Sequence, residues 1–399
     1  MKYAPTDSEP AVEVYSRPPA LPQTPPVLTV PSDLWLPAES ILSYKASAAK
    51  PQTVYEIDPI ADPRWRDLVL RHPCGSVFHS PEWLQSLRRT YGYEPVAVTT
   101  APPGSQLTNG IVFCRVTSWV TGRRMVSLPF ADHCDPLVKS EEEIQGLISE
   151  IKLQSDRGQW DYLELRPRLW PLAWNGGFGK TAAFWAHWVD VRLPIDELYR
   201  GLHKNCIQRK IRRAQQASLA YEEGHSERLL VQFYDLLVMT RRRQHLPPQP
   251  YTWFRNLTAC MKDMVKIRVA SKSGRPVAAI LTLRYKNTLV YKYGCSDRRF
   301  SPLGGEPFLL WKAIQEASNN GLQELDLGRS DLNNPGLTTF KERLGAKRFP
   351  LGYWRYPQPK SVQGIVPRQA LQRLAGVVLS HAPGPLLRAT GRVLYPHIG

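Results

Sequence analysis

Twice in this chain a helical stretch is closed by a glycine and followed at once by a short alternating strand. The first instance runs from Glu141 to Asp156, then Gly158, then DYLEL (Asp161 to Leu165); the second, ~160 residues on, ends a helix near Asn319, passes Gly321 and enters ELDL (Glu324 to Leu327). A unit repeated at that distance implies two related α/β halves. The length of 399 residues agrees, at ~150 residues per domain.

The intervening pattern fills both halves. Ser80-Pro81-Glu82 is a helix start, with an N-cap, a proline at the first position and an acid in the first turn; Trp83, Leu84 and Leu87 then recur at helical spacing. Strands are expected over Tyr93 to Thr99, Gly110 to Val116, Arg124 to Leu128 and Ala183 to Leu193. Asp196 to Ala217 reads as one amphipathic helix with Leu198, Leu202, Ile207 and Ile211 on its apolar stripe, and Leu229 to Leu237 as another. Three strands follow in succession (Lys266 to Ser271, Pro276 to Tyr285, Leu289 to Gly294), then a helix opened by Gly304-Gly305. The fold class is α/β (α+β), with a first unit over 53–195 and a second over 196–357.

The ends differ from this body. Residues 1–52 are crowded with proline and lack sustained periodicity, the signature of a disordered tail. Fifty-two basic against 35 acidic residues give a net charge of +17, yet the first 60 residues carry four basic and seven acidic groups, so the positive field belongs to the rest. After Glu342 there are nine basic residues and no acid. Within 358–399, the stretch Pro367 to Tyr395 forms two short apolar, arginine-bearing helical segments split by Pro383-Gly384-Pro385, too short to span a bilayer. They are expected either to rest on a membrane surface or to cover a core face. No secretory leader is recognisable at the N-terminus, and the six cysteines make no CxxC pair, which points to reduced thiols, no metal and a cytoplasmic protein, with the inner membrane face as an alternative station.

Most catalytic signatures are missing. There is no GxSxG and no HExxH; Gly179-Lys180-Thr181 ends like a phosphate loop, but the glycine required five residues before Gly179 is Trp174. His79 and His133, each beside a turn, are the histidines with a functional alternative to a cap or surface role. KNCIQRKIRR (Lys204 to Arg213) is the densest basic run, suited to a solvated helix face, to substrate or tRNA phosphates, or to acidic lipid; double-stranded DNA is disfavoured because no DNA-reading motif accompanies it. The richest segment is Tyr291 to Lys347, where Tyr293, Asp297, Asp326, Arg329 and Asp331 fall at the ends of neighbouring strands, the usual place for chemistry on an α/β sheet, and Lys341 follows on a short helix. Mutual pairing of Asp326 and Arg329 is the structural alternative.

YKYGCSD, the glycine-bearing loop before a long helix, DLGRSD and GLTTFKERLGA resemble the C-terminal half of the FemAB-like branch of the GCN5-related N-acetyltransferase (GNAT) superfamily. Within that branch the resemblance is to the acetyltransferases of cellulose and exopolysaccharide gene clusters; FHSPEWLQSLRRTYGYEP, SLPFADHCDP, RKIRRA and MTRRRQHLPPQPYTWF extend it over about residues 60–357. It implies two tandem GNAT-like folds around a cleft, with the last strand, near Tyr353, returning to the first unit. It further implies an acyltransferase that takes an acetyl or aminoacyl group from acyl-CoA or aminoacyl-tRNA and passes it to an amine or hydroxyl of a small-molecule or saccharide precursor of the envelope or exopolysaccharide.

On this resemblance Lys341 neutralises the oxyanion, Asp326 or Asp297 is the base, Tyr293 a proton donor, and Arg329 a partner in the site. Arg209, Arg213 and Lys204 hold anionic groups, His79 and Asp132 contribute to substrate binding, and Arg299, Gly304 and Gly305, which approximate a pyrophosphate loop, bind the donor. A non-catalytic scaffold of a polysaccharide assembly complex and a nucleic-acid-binding module are the alternative functions. The proline-rich tail yields a direct expectation: a chain beginning at Pro51 keeps its cooperative melting transition, and loss of that transition on truncation would contradict the boundary.

Overall fold

The computed structural model describes residues 53–168, 177–359 and 384–398. The proline-rich tail, Trp174 to Gly176 of the glycine-rich turn and the segment 360–383 lie outside the described residues. Among the described residues twelve strands form one sheet: β1 (Tyr55–Ile57), β2 (Glu94–Thr99), β3 (Ile111–Ser118), β4 (Gly122–Ser127), β5 (Tyr162–Leu165), β6 (Gly179–Asp190), β7 (Ala220–Gly224), β8 (Val265–Lys272), β9 (Arg275–Tyr285), β10 (Thr288–Ser296), β11 (Glu324–Asp331) and β12 (Lys347–Tyr356). Their order across the sheet is β1-β2-β3-β4-β5-β12-β6-β11-β10-β9-β8-β7.

The repeated helix–glycine–strand unit explains this topology. Among the described residues two strand pairs are parallel, β4 with β5 and β10 with β11. A parallel neighbour cannot be reached by a tight hairpin and needs a crossover. The crossovers are α3 (Glu141–Asp156) and α8 (Gly305–Asn319), the two helices that the sequence closes with Gly158 and Gly321. β12 then does what the resemblance implied, pairing antiparallel with β5 on one side and β6 on the other.

Helices cover both faces of the sheet. On one side α1 (Pro63–Arg71), α2 (Pro81–Tyr91), α6 (Glu227–Arg243) and α7 (Tyr251–Met261) share a single core, in which Trp83 of α2 meets Trp253 of α7 edge to face at 5.3 Å and Phe78 at 5.1 Å. On the other, α3 packs on the first half, while α4 (Ile195–Gly201), α5 (Arg209–Gln216) and α8 pack on the second. The single helix expected over Asp196 to Ala217 is broken: Leu202 is extended, and a π turn over Lys204–Gln208 precedes α5, so that Leu198, Leu202, Ile207 and Ile211 all reach the same core from two directions. The short helix α9 (Pro335–Arg343) is capped by the Asn334 side chain.

The C-terminal helix α10 (Gly384–Ile398) covers a core face over its described length. Leu387 is fully buried, the Tyr93 hydroxyl donates to the carbonyls of Tyr395 and Pro396 at 3.1 Å, and Arg388 pairs with Asp235 at 3.0 Å.

The join between β5 and β12 is fastened electrostatically. Glu164, buried, accepts from Arg166 at 2.7–2.8 Å and from Arg355 at 2.7 Å. Burial works to raise the Glu164 carboxyl, but the two guanidiniums outweigh it and hold the group down at about 2, against an ordinary value of 4.5. A lowered carboxylate pKa stabilises the fold above the unfolded value, and that contribution, about 3 kcal/mol, is lost as pH falls from about 4.5 toward 2. Glu164→Gln is therefore expected to lower the melting temperature at neutral pH and to flatten the acid limb of the stability profile, as read by thermal melts between pH 2 and 7; an unchanged acid limb would dismiss the pair as a fastener.

Candidate active site

β10 and β11 are hydrogen-bonded only from Thr288–Val290 to Glu324–Asp326 and then part. Each strand bulges where they separate. In β10 the register with β9 shifts between Tyr291 and Tyr293, and in β11 the register with β6 shifts between Asp326 and Arg329. A bulge bends its strand and re-aims the side chains beside it. Beside this stretch of β10 lies a cleft of about 450 Å³, lined by Tyr291, Gly294 and Ser296 of β10, Gly336, Leu337 and Phe340 around α9, and Lys210, Arg243, Gly305 and Glu306. A second concavity of about 430 Å³ lies at the outer edge between β7 and α8, lined by Tyr221, Glu223 and Lys312; it is more open and holds none of the expected site residues.

One wall of the cleft is suited to anions. Gly304 caps the fifteen-residue α8 in the left-handed conformation (φ 77°), and a β-carbon there would stand 2.4 Å from the Lys210 carbonyl oxygen, so glycine is what lets α5 approach the helix terminus. The N-terminus of α8, whose leading N–H groups lack helical partners, thus lies beside Lys210 and Arg243. At its base Tyr291 donates its hydroxyl to Glu306 at 2.8 Å, and burial raises the Glu306 carboxyl.

Behind the other wall the two halves exchange charge. The loop after β4 is clamped by Arg166, which donates to the carbonyls of Leu128 and Ala131. It carries Asp132 and His133 across to the second half. His133 Nε2 donates to Asp326 Oδ2 at 2.8 Å, and Asp326 Oδ1 accepts the Gly328 N–H at 2.7 Å. Asp132 accepts from Lys292 at 2.9 Å and stands 3.8 Å from Arg329, while the Tyr353 hydroxyl donates to its backbone carbonyl. Lys341 Nζ, buried, donates to the carbonyls of Gly328 and Arg329 at 3.0 and 2.8 Å. Gly328 (φ 68°) is the hinge of the arrangement: a β-carbon would lie 3.0 Å from the Asp132 carboxylate and 3.9 Å from the Tyr291 carbonyl of the cleft wall.

Burial and charge set the protonation states. For Asp132 burial acts upward, and Lys292 and Arg329 overcome it, leaving the carboxyl at about 2. Asp326 is likewise lowered, because the His133 contact outweighs burial. Burial brings Lys341 down to about 8, even though Asp132 and Asp326 push it up.

Asp132, Asp326, Arg329 and Lys341 therefore come together, and Gly305 lines the cleft. Other expected residues lie elsewhere. Tyr293 turns into the core shared by the halves, where it accepts the Trp253 indole N–H at 3.0 Å; the tyrosine of β10 in the cleft is Tyr291, because the bulge at Lys292 interrupts strict alternation. Asp297 caps a 3₁₀ turn and is held by Arg299 at 2.6 Å, so these two engage each other at the turn. His79 is buried, donates to the Asp135 carbonyl at 2.8 Å and accepts from Ser76, bracing the Asp132 loop from beneath. Arg209 and Lys204 are exposed, and Arg213 donates to the Pro302 carbonyl. Lys210, Arg243, Lys292 and the Tyr291–Glu306 pair were not singled out by sequence reasoning; a lysine within the apolar strand LVYKYG was the one available signal.

The family model of the acetyltransferase (GNAT) domain matches residues 203–342, the segment that builds the cleft. No curated protein sequence matches the chain. Among solved structures, FemX is similar at 12% identity and TM-score 0.61, covering 81% of this chain and 100% of that one. The DUF2156 C-terminal domain assigned to a lysylphosphatidylglycerol synthetase of Agrobacterium fabrum is similar at 16% identity and TM-score 0.50, covering 79% and 96%. A conserved protein of unknown function from Bacteroides thetaiotaomicron is similar at 11% identity and TM-score 0.50, covering 76% and 99%. At such identities the structural likeness speaks to the fold alone. Residues 203–342 thus match the acetyltransferase (GNAT) domain, and the fold that carries them is similar to that of FemX.

Proposed function

We propose that the chain transfers an acetyl or aminoacyl group from a phosphate-bearing donor, acyl-CoA or aminoacyl-tRNA, to an amine or hydroxyl of an envelope or exopolysaccharide precursor, at the cytoplasmic face of the membrane. The observation that carries this reading is the cleft beside β10, with a helix N-terminus and two cations along it, next to the point where β10 and β11 part and to a carboxylate–lysine cluster on β11 and α9. Phosphates suit Lys210, Arg243 and the start of α8. On the acceptor side Arg329 lies over the rings of Phe184 and Tyr353 at 4.2 and 5.1 Å, and Arg348 over Trp185 at 4.7 Å, a surface of planar apolar and cationic groups suited to sugar rings bearing phosphate.

The reaction follows from these placements. The acceptor nucleophile attacks the acyl carbonyl carbon, forming the new C–N or C–O bond; its proton passes toward the Asp326–His133 pair, and the bond to the leaving thiolate or ribose oxygen breaks as that group takes up a proton. Unpaired backbone along β10 beyond Val290 offers donors to the carbonyl oxygen, and Lys341, through the Gly328 and Arg329 carbonyls, sets the path of β11 and places positive charge beside the oxyanion.

Lys341→Ala is expected to reduce turnover by ~10²-fold or more with little change in acceptor KM, the loss typical of removing charge stabilisation in the transition state. Wild-type turnover in that variant, followed by donor thiol release or by mass spectrometry of the acylated saccharide, would remove the role. Because burial places the Lys341 pKa at about 8, the charged form prevails below that value; the rate is expected to fall as pH rises through about 8, and this limb should disappear in Lys341→Met. Asp326→Asn tests the proton acceptor, and an unaltered pH–rate profile would reassign the proton to the substrate.

A further inference from the structure

Away from the cleft, the turn that joins β3 to β4 projects Trp119 and Val120, which are 86% and 55% exposed. The Trp119 ring meets His397 of α10 edge to face at 5.4 Å, and the Ser118 and Thr121 side chains bond His397 on either side, so the turn and the helix form one surface. Val393 stands one helical turn before His397, and Leu386 seven residues before Val393, on the same stripe; they are 61% and 54% exposed. This apolar band is distinct from the stripe that α10 buries through Leu387 and Gly391.

The rim of the band is basic. Arg123, Arg388 and Arg392 are exposed on the same two elements, and Arg242, at the end of α6, lies beside Gly384, where a β-carbon would be 3.6 Å from its guanidinium. The nearby acids are engaged: Asp235 by Arg388 and Asp161 by the Arg123 N–H.

We propose that the β3–β4 turn and the outer stripe of α10 dock the protein on an anionic lipid bilayer. An indole at the tip of a turn enters the headgroup layer readily, flanking leucine and valine bury apolar surface, and the arginines meet anionic lipid. No described helix is long and apolar enough to cross a membrane, so the surface lies on the bilayer. A second copy is a poorer occupant, because a symmetric contact through this band would bring one basic rim against another. The surface adds to the acyl-transfer reading by bringing the enzyme to a membrane-borne acceptor, and its test reads binding alone, so the two fail separately.

Flotation of the full chain with phosphatidylglycerol–phosphatidylcholine vesicles at low salt is the test, with pure phosphatidylcholine vesicles as reference. The wild type should float with the anionic vesicles and far less with the neutral ones; W119S/V120S and, independently, R392E should each reduce binding about tenfold while keeping the wild-type melting transition. A wild type that ignores anionic vesicles would overturn the proposal, as would variants that bind like the wild type. So would light scattering that shows a dimer dissolved by W119S/V120S, which would give the band to a second copy.

Discussion

β12 makes one molecule of two halves. Among the described residues it is the last strand in sequence, yet it lies between β5 and β6 and supplies the hydrogen-bonding edges that each half lacks. An unpaired edge in the middle of a molecule would leave two rows of backbone donors and acceptors buried without partners, a cost no small number of side-chain contacts offsets. Pairing along β12 instead draws the loop after β4 against β11, since Tyr353 on β12 holds the Asp132 carbonyl. The site thus depends on a closure made by β12.

That closure has an electrostatic price, which the site turns to use. Asp132, Asp326, Lys292 and Lys341 are carried into a region where isolated charges are strongly disfavoured, and each is tolerated because a partner from another element meets it. Lys292 comes from the bulge of β10, Lys341 from α9, and His133 from the other half of the molecule. The outcome is a set of groups with depressed pKa values: carboxylates that stay ionised and a lysine that changes charge near neutrality. Environments that push neighbouring groups apart in this way are where acid, base and charge-stabilising roles are commonly divided.

The bulge in β10 accounts for where its two tyrosines lie. Strict alternation along YKYGCSD would put Tyr291 and Tyr293 on the same face. The inserted Lys292 separates them, sending Tyr293 to Trp253 in the core and leaving Tyr291 in the cleft with Glu306. Asp297 and Arg299 illustrate a second limit. A charged pair two residues apart at the start of a helix can serve a ligand or cap its own turn, and the turn geometry here favours the cap.

Local chemistry is what the sequence determined by itself. Caps, glycine terminators and period-two runs set the two helix–glycine–strand units, because those signals act within a few residues, while Asp326 and Arg329 were singled out by their place at a strand end and Lys341 by the resemblance that FKERLG carries. The break in the helix expected over Asp196 to Ala217, the burial of His79 and the meeting of Asp132 with Lys292 across 160 residues of chain were decided only by the tertiary structure. Those features depend on which surfaces face each other after β12 closes the sheet, and contacts between residues so far apart in sequence leave no periodicity for a single chain to display.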